Sequence, residues 1–316
     1  MEQKKDQALS EANSTIATAR AATRYGLNLP LSTGVALAVL GQLFLLPLAV
    51  GAHTAVMACL ILLLIPVNLP FWSLIHEGIH KNIHANRKMN EAVARGMSVL
   101  FGIPFAVLRF GHLMHHQYNR EWETELYADK HNRFVVTLTH YAKMLGGLWI
   151  SEVLASLAIA LLPAKLLRTI YRLAFKDDRH YQGAIQSLLK PQTLLRIRID
   201  MLLITLVYTA AFFAFGAHWG LLLLLIGGRA FTVSMMDNAY HYDTPADNSV
   251  PAKELKAPGF LASWLLNFNH HRTHHRHPAL GWRDLRDRHR VNGEAYDEPI
   301  GHAVLAQFRG PIRSDS

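Results

Sequence analysis

The sequence predicts an all-α integral membrane protein: two transmembrane helical hairpins, four crossings in all, beneath a cytoplasmic helical cap rich in histidine. Three observations lead there. The 316 residues are 51% hydrophobic and only 17% charged, against about 25% charged in an ordinary soluble domain. Apolar stretches long enough to cross a bilayer come in pairs joined by short turns. Histidine, at 19 residues, is concentrated in three groups beside or just after apolar segments: His76-Glu-Gly-Ile-His80, His112-Leu-Met-His115-His116 and His271-Arg-Thr-His274-His275.

Taken in order, Met1 to Arg24 is polar, carries Lys4, Lys5, Arg20 and Arg24, and has no signal-peptide pattern, which suits a cytoplasmic start. Leu31 to Val50 is twenty uncharged residues, Gly51-Ala52-His53 turns, and Thr54 to Ile75 returns. Pro66 and Pro70 are expected to kink the second span, which membrane helices tolerate when neighbours satisfy the freed carbonyls. A helix continuing past Ile75 would carry His76 and His80 out of the hydrocarbon as a stalk. Val99 to Val107 is apolar but too short to span, and leads into His112. Met144 to Leu162 is apolar for nineteen residues except for Glu152. Pro163 to Arg198 then holds eight Lys or Arg and two acids, Asp177 and Asp178. Met201 to Phe215, a Gly216-Ala217-His218 turn and Trp219 to Met236 form the second hairpin.

Parity decides how 144–162 is read. If it crossed, the third histidine group would face the compartment opposite the first two. The basic 163–198 loop would also lie outside, against the positive-inside tendency. Both conflicts vanish if the segment lies in, or dips into, the cytoplasmic interface, where Glu152 can stay hydrated. The chain therefore reads as one domain over 1–316. A polar N-terminal segment covers 1–30, and a C-terminal tail over 276–316 is expected to cover the third histidine group.

Net charge is +9. It follows from cytoplasmic loops rich in Lys and Arg, and it also suits a basic docking face for an acidic electron carrier. The basic residues flank apolar spans rather than forming one stripe, which argues against nucleic acid. Cys59, the single cysteine, excludes an internal disulfide and a built-in iron–sulfur cluster.

Imidazole is the commonest neutral metal ligand, and eight of them at helical spacing imply more than one ion. Positions i, i+3 and i+4 share a helix face, so each group can present its rings in one direction. His76 to His80 is also an H-E-x-x-H string, the zinc motif of metalloproteases. A protease reading leaves the other six histidines without purpose. A metal transporter would place ionisable ligands within the spans, which contain almost none. His53 and His218, in the two turns, read as interface residues on the opposite face.

The three groups, H-x-x-x-H, H-x-x-H-H and H-x-x-H-H between hydrophobic hairpins, resemble the membrane fatty acid desaturase family and its hydroxylase relatives. Asn86-Arg87-Lys88-Met89-Asn90 is similar to the segment after that family's first box. His271 to Pro278 fits its third box with the trailing proline. The resemblance covers roughly residues 30 to 290. It implies two iron ions held almost wholly by histidine: His76, His80, His112, His115, His116, His271, His274 and His275. It adds a ligand from the end of the last span, where His241 stands. Structurally known animal members place a water-holding Asn four residues earlier; here Asp237 occupies that place, with Asn238 next to it. Asp237 could hold water, ligate iron, or accept a hydrogen bond from a ligand ring. Glu77, Glu125 and Asp129 are further candidates to orient ligand rings.

The implied reaction is O2-dependent oxidation of a fatty acyl chain, with desaturation the leading outcome. Hydroxylation, or decarboxylation of a free fatty acid to a terminal alkene, would use the same centre. Neutral nitrogen ligands resist the self-oxidation that thiolates would suffer. No flavin, nicotinamide or haem signature is present, so electrons must come from a ferredoxin-like or cytochrome donor. The acyl chain would lie in an apolar tunnel lined by residues such as Phe71, Trp72, Phe105, Phe110 and Trp264. A free acid would call for a cation near the metals, and Arg109 and Arg229 are candidates; the phosphate of membrane lipid is the favoured partner for both. The expected location is a bacterial inner membrane, with both termini and the active site cytoplasmic.

Overall fold

The structure, a computed structural model, describes residues 25–51, 53–124, 132–174, 179–244 and 250–312. The segment Met1–Arg24 and the acids Glu125, Asp129, Asp177 and Asp178 lie outside the described residues. The described chain is mostly helical. Four segments are long and apolar enough to cross a membrane: Asn28–Val50, Thr54–Ile79, Arg133–Leu161 and Pro191–Ala239.

Helix α1 (Asn28–Val50) starts three residues before the hydropathy boundary, because Asn28 has polar partners. Its side chain donates to the Asn82 carbonyl and accepts from Trp282 Nε1. Pro47 has no N–H to return to Leu43, and the ladder widens into a π-turn over Gly41–Leu45. In α2 (Thr54–Ile79) the expected kink is a 3-10 turn at Ile65–Val67, around Pro66. Pro70 falls in the first turn of the resumed helix, where an N–H would have no partner anyway. The helix then runs through His76 and ends at Ile79, with His80 as its C-cap residue.

Asn86 caps α3 (Arg87–Phe101) by accepting from the N–H groups of Lys88 and Met89. A break at residues 102–104 turns the chain by 97° into α4 (Phe105–Thr124), which carries the second histidine group. The α3 helix packs tightly on α2 at Gly78, where an added Cβ would stand 2.6 Å from the Ala94 Cβ. Only glycine allows that approach between His76 and His80.

The segment 133–161 consists of α5 (Arg133–Ala142) and α6 (Leu148–Leu161), joined through a broken turn at Lys143–Gly147. Gly146 has φ +127°, which reverses the local path and needs glycine. Two short helices follow, α7 (Ala164–Ala174) and α8 (Arg179–Leu188). Next come α9 (Pro191–Phe215) and α10 (Trp219–Ala239), an antiparallel pair reversing at Gly216. At 49 residues, Pro191–Ala239 is long enough to cross twice. The turns of the two hairpins meet, with Thr54 Oγ1 3.2 Å from His218 Nδ1.

Both ends of 133–161 touch the same end of the α9–α10 pair. His140 Nε2 donates to the Gln307 carbonyl and its ring lies beside Tyr242, just past α10. At the other end, Arg198 near the start of α9 donates to the carbonyls of Ala160 and Leu162. The middle reaches deeper: the Trp149 N–H donates to Ser234 Oγ, and Gly146 faces Ala230.

Arg229, fully buried, ties the bundle together. Its guanidinium donates to Asn68 Oδ1, the Leu100 and Phe101 carbonyls and the Tyr208 hydroxyl. It thereby caps carbonyls orphaned at the end of α3. Beyond α10 a small cap forms. Strand β1 (Leu255–Lys256) precedes α11 (Gly259–Trp264), α12 (His271–Arg276) and α13 (Trp282–Asn292); β2 (Glu298–Pro299) pairs parallel with β1, and α14 (Ile300–Ala306) closes the order. Tyr240, Leu255, Leu265, Phe268 and Ile300 form its core.

Candidate metal centre

The end of α2, the middle of α4, the residues just past α10 and the cap helix α12 meet, and each brings histidine. The nine ring-bearing positions singled out in the sequence converge into two groups. His76, His80, His112, His116 and His274 form one; His115, His241, His271 and His275 form the other. The second and third boxes are each divided between the two groups. In H-x-x-H-H the residues at i and i+4 stack along one line of the helix and serve one group, while the ring at i+3 turns to the other. The pair His112 and His116 thus joins the first group and His115 the second. On α12 the assignment is reversed: His271 and His275 join the second group and His274 the first.

Within the groups, ring nitrogens approach one another head-on. His76 and His274 are 2.9 Å apart at Nε2, His80 and His112 2.8 Å, His112 and His116 2.9 Å, and His116 and His274 3.0 Å. In the second group the Nε2 separations are 2.9 Å for His241–His271 and 3.1 Å for His271–His275. Nitrogens about 2.0–2.1 Å from a common ion stand about 2.8–3.4 Å apart at right-angled to tetrahedral geometry. His115 Nε2 is buried with no hydrogen-bond partner among the described residues. Convergent lone pairs and an orphaned ring nitrogen fit a metal pair.

Burial first, and then the neighbouring imidazoles, hold His271, His274 and His275 well below the ordinary histidine range and bring His80 down to about 3. The rings are therefore neutral at pH 7, the form that ligates.

The groups around the rings fix their orientation. His241 Nδ1 donates to the Pro251 carbonyl at 2.7 Å, which leaves Nε2 to face the second group. Tyr240 stacks on His271, and Phe268 sets its ring edge-on to His76. Glu77 accepts from the Trp282 N–H, tying the first box to α13. Asp237 lies on the wall of a cavity next to His115, whereas the Asn238 side chain turns to Gln307 Oε1.

Glu254 escaped sequence reasoning because no motif surrounds it. Fully buried, it accepts from the Thr273 N–H through Oε1 and from His270 Nδ1 through Oε2, with His289 Nδ1 3.1 Å away. This carboxylate caps α12 from outside the helix and braces the third box. Glu254, His270 and His289 also sit close enough to hold an ion.

An apolar cavity of about 400 Å³ opens against His112 and His115, within the size range of ligand pockets. Trp72, Phe101, Phe110 and Trp149 shape it, while Lys143, Glu152 and Asp237 supply its polar side. Trp72 and Phe110 thus stand where a tunnel was expected. Phe71 instead packs edge-on against Phe101, Trp264 donates to the Pro66 carbonyl, and Phe105 lines a separate cavity.

Comparison with curated proteins and with solved structures yields no match. A protein-family model described as fatty acid desaturase matches residues 52–304, from the first hairpin turn to α14. That span takes in all three boxes and His241, and on this ground the chain belongs to the fatty acid desaturase family.

Proposed function

We propose that this protein oxidises a fatty acyl chain with O2 at a pair of iron ions, and that the outcome is a double bond. Family membership supports fatty-acyl oxidation, and one geometric observation carries the finer reading. The apolar cavity ends on His112 and His115, which belong to different histidine groups. A chain lying in it passes against both groups at once.

The nine histidines are the proposed ligands, five for one ion and four for the other. Iron, when bound, would supply O2 activation and the storage of two electrons. Two hydrogens from adjacent carbons, one O2, two electrons and two protons yield the alkene and two waters. Trp72, Phe101, Phe110 and Trp149 hold the chain and keep water away from the reacting carbons. The Pro251 carbonyl and Glu254 keep His241 and the third box aimed. Asp237, on the wall of the same cavity as His115, would orient a water.

The hairpins α1–α2 and α9–α10 make four crossings, and 133–161 enters and leaves on the side that carries the cap. Its end contacts with Tyr242 and Arg198 support this. The basic residues of 163–198 support a cytoplasmic position for that side, where a ferredoxin-like or cytochrome donor would supply electrons.

The test is expression in a host lacking such activity, followed by gas chromatography of the fatty acids. An O2-dependent product with a new double bond, lost in His274→Ala, is expected. Hydroxylated acids or terminal alkenes would retain the centre and overturn the outcome. Absence of any oxidised chain from the iron-loaded, reduced protein would overturn the reading.

A further inference from the structure

A second cavity, of about 380 Å³, adjoins the first: Phe110 and Leu188 line both. Its walls come from α3, α4, α8 and α9, and it holds three arginines and two acids. Arg95 pairs with Asp200 and Arg196 with Glu91. Arg109, half-buried, makes no ion pair or hydrogen bond with any described residue. One positive charge is thus left over in a pocket whose walls include the apolar Phe105, Ala106, Leu113 and Met114 and the hydroxyls of Ser187 and Thr193.

A partly desolvated guanidinium without a partner is costly, and it favours an anion that can accept two parallel N–H bonds. The other cations near the metal cavity are committed. Arg229 donates to Asn68 and to carbonyls of α3 and lines neither cavity, and Lys143 has a partner of its own. Arg109 also stands three residues before His112, about 4.5 Å along the helix axis.

We infer that the Arg109 cavity receives the carboxylate of a free fatty acid, whose chain passes the Phe110–Leu188 wall into the metal cavity. The inference rests on the reading of the metal cavity as the acyl site and adds to it the chemical class of the head. A thioester or a neutral ester offers Arg109 no charge. An anionic phospholipid does, and it is the competing source of the same chemistry.

The test is binding of fluorescent cis-parinaric acid, and of its methyl ester, to the full-length protein in phosphatidylcholine nanodiscs. The acid should bind more tightly than the ester. Arg109→Ala should weaken the acid about ten- to hundred-fold and leave the ester within about twofold. Arg109→Lys should recover part of the loss, and Arg172→Ala on exposed α7 should change neither. Retained ester binding shows that the variant is folded. Equal binding of acid and ester, or equal losses in Arg109→Ala, overturns the inference. So does displacement of the acid by phosphatidylglycerol in wild type but not in Arg109→Ala, if KM for the acid is unaltered by the substitution. Acid-selective binding without any oxidised product sinks only the oxidation reading. Product formation with unchanged KM in Arg109→Ala sinks only the head-group assignment.

Discussion

The two histidine groups are built differently although they share two helices, α4 and α12. The first takes both histidines of the first box, two of the second and one of the third. The second takes one from the second box and two from the third, and needs His241, which belongs to no box. Three of its four rings come from α12 and from the residues just past α10, so it depends on the cap. The first is anchored in the bundle through α2 and the Gly78–Ala94 contact. A repeated motif therefore does not map one box to one group; the i, i+4 pair and the i+3 ring of each H-x-x-H-H divide between the two.

That contrast can be broken most severely by removing ligands. His274→Ala and His241→Ala should each abolish acyl oxidation, measured as product per chain, because each depletes a different group. Persistence of activity near the wild-type level in either variant would contradict the division. Next comes the brace. Glu254→Ala removes the acceptor for the Thr273 N–H, and should weaken metal retention about 10- to 100-fold and destabilise the fold by about 1–3 kcal/mol. Glu254→Gln keeps an oxygen at that N–H and should be milder, a difference readable by chelator competition. Gly78→Ala should cost about 1–3 kcal/mol, since its Cβ meets Ala94, and should loosen the first group more than the second.

The smallest effect is on pH. An unfolded chain protonates its histidines near 6.5, whereas folded His80 does so only near 3. Between those values the unfolded state binds more protons, so acidification lowers stability. The metal-free protein should lose stability steadily from about pH 6.5 downward, as followed by thermal unfolding in detergent. Stability unchanged over that range would contradict the burial of neutral rings.

Much of this was legible in the chain. The hairpins follow from run length and the Gly-Ala-His turns, and the nine histidines from helical spacing and family resemblance. Parity and charge led to the expectation that 144–162 does not cross; in the structure the apolar segment is longer, 133–161, it is broken at Gly146, and both of its ends touch the same end of the α9–α10 pair. The allocation of rings was not legible, because helical spacing gives a shared face but not the angle at which that face meets its neighbour. Glu254 and the Pro251 carbonyl were hidden for a related reason. Their partners lie at the third box and at His241, and only the folding of the cap brings them near. Arg229 looked like a candidate for a substrate anion; its geometry gives it to the carbonyls at the end of α3.

The central claim is that two ions lie side by side, each held by its own set of imidazoles. Iron titration of the metal-free protein, followed by X-ray absorption at the iron edge and repeated on His241→Ala, tests it most directly. Two irons per chain with only nitrogen and oxygen neighbours, falling to one in the variant, is the predicted result. A single iron in the wild type, or two retained without His241, would contradict it.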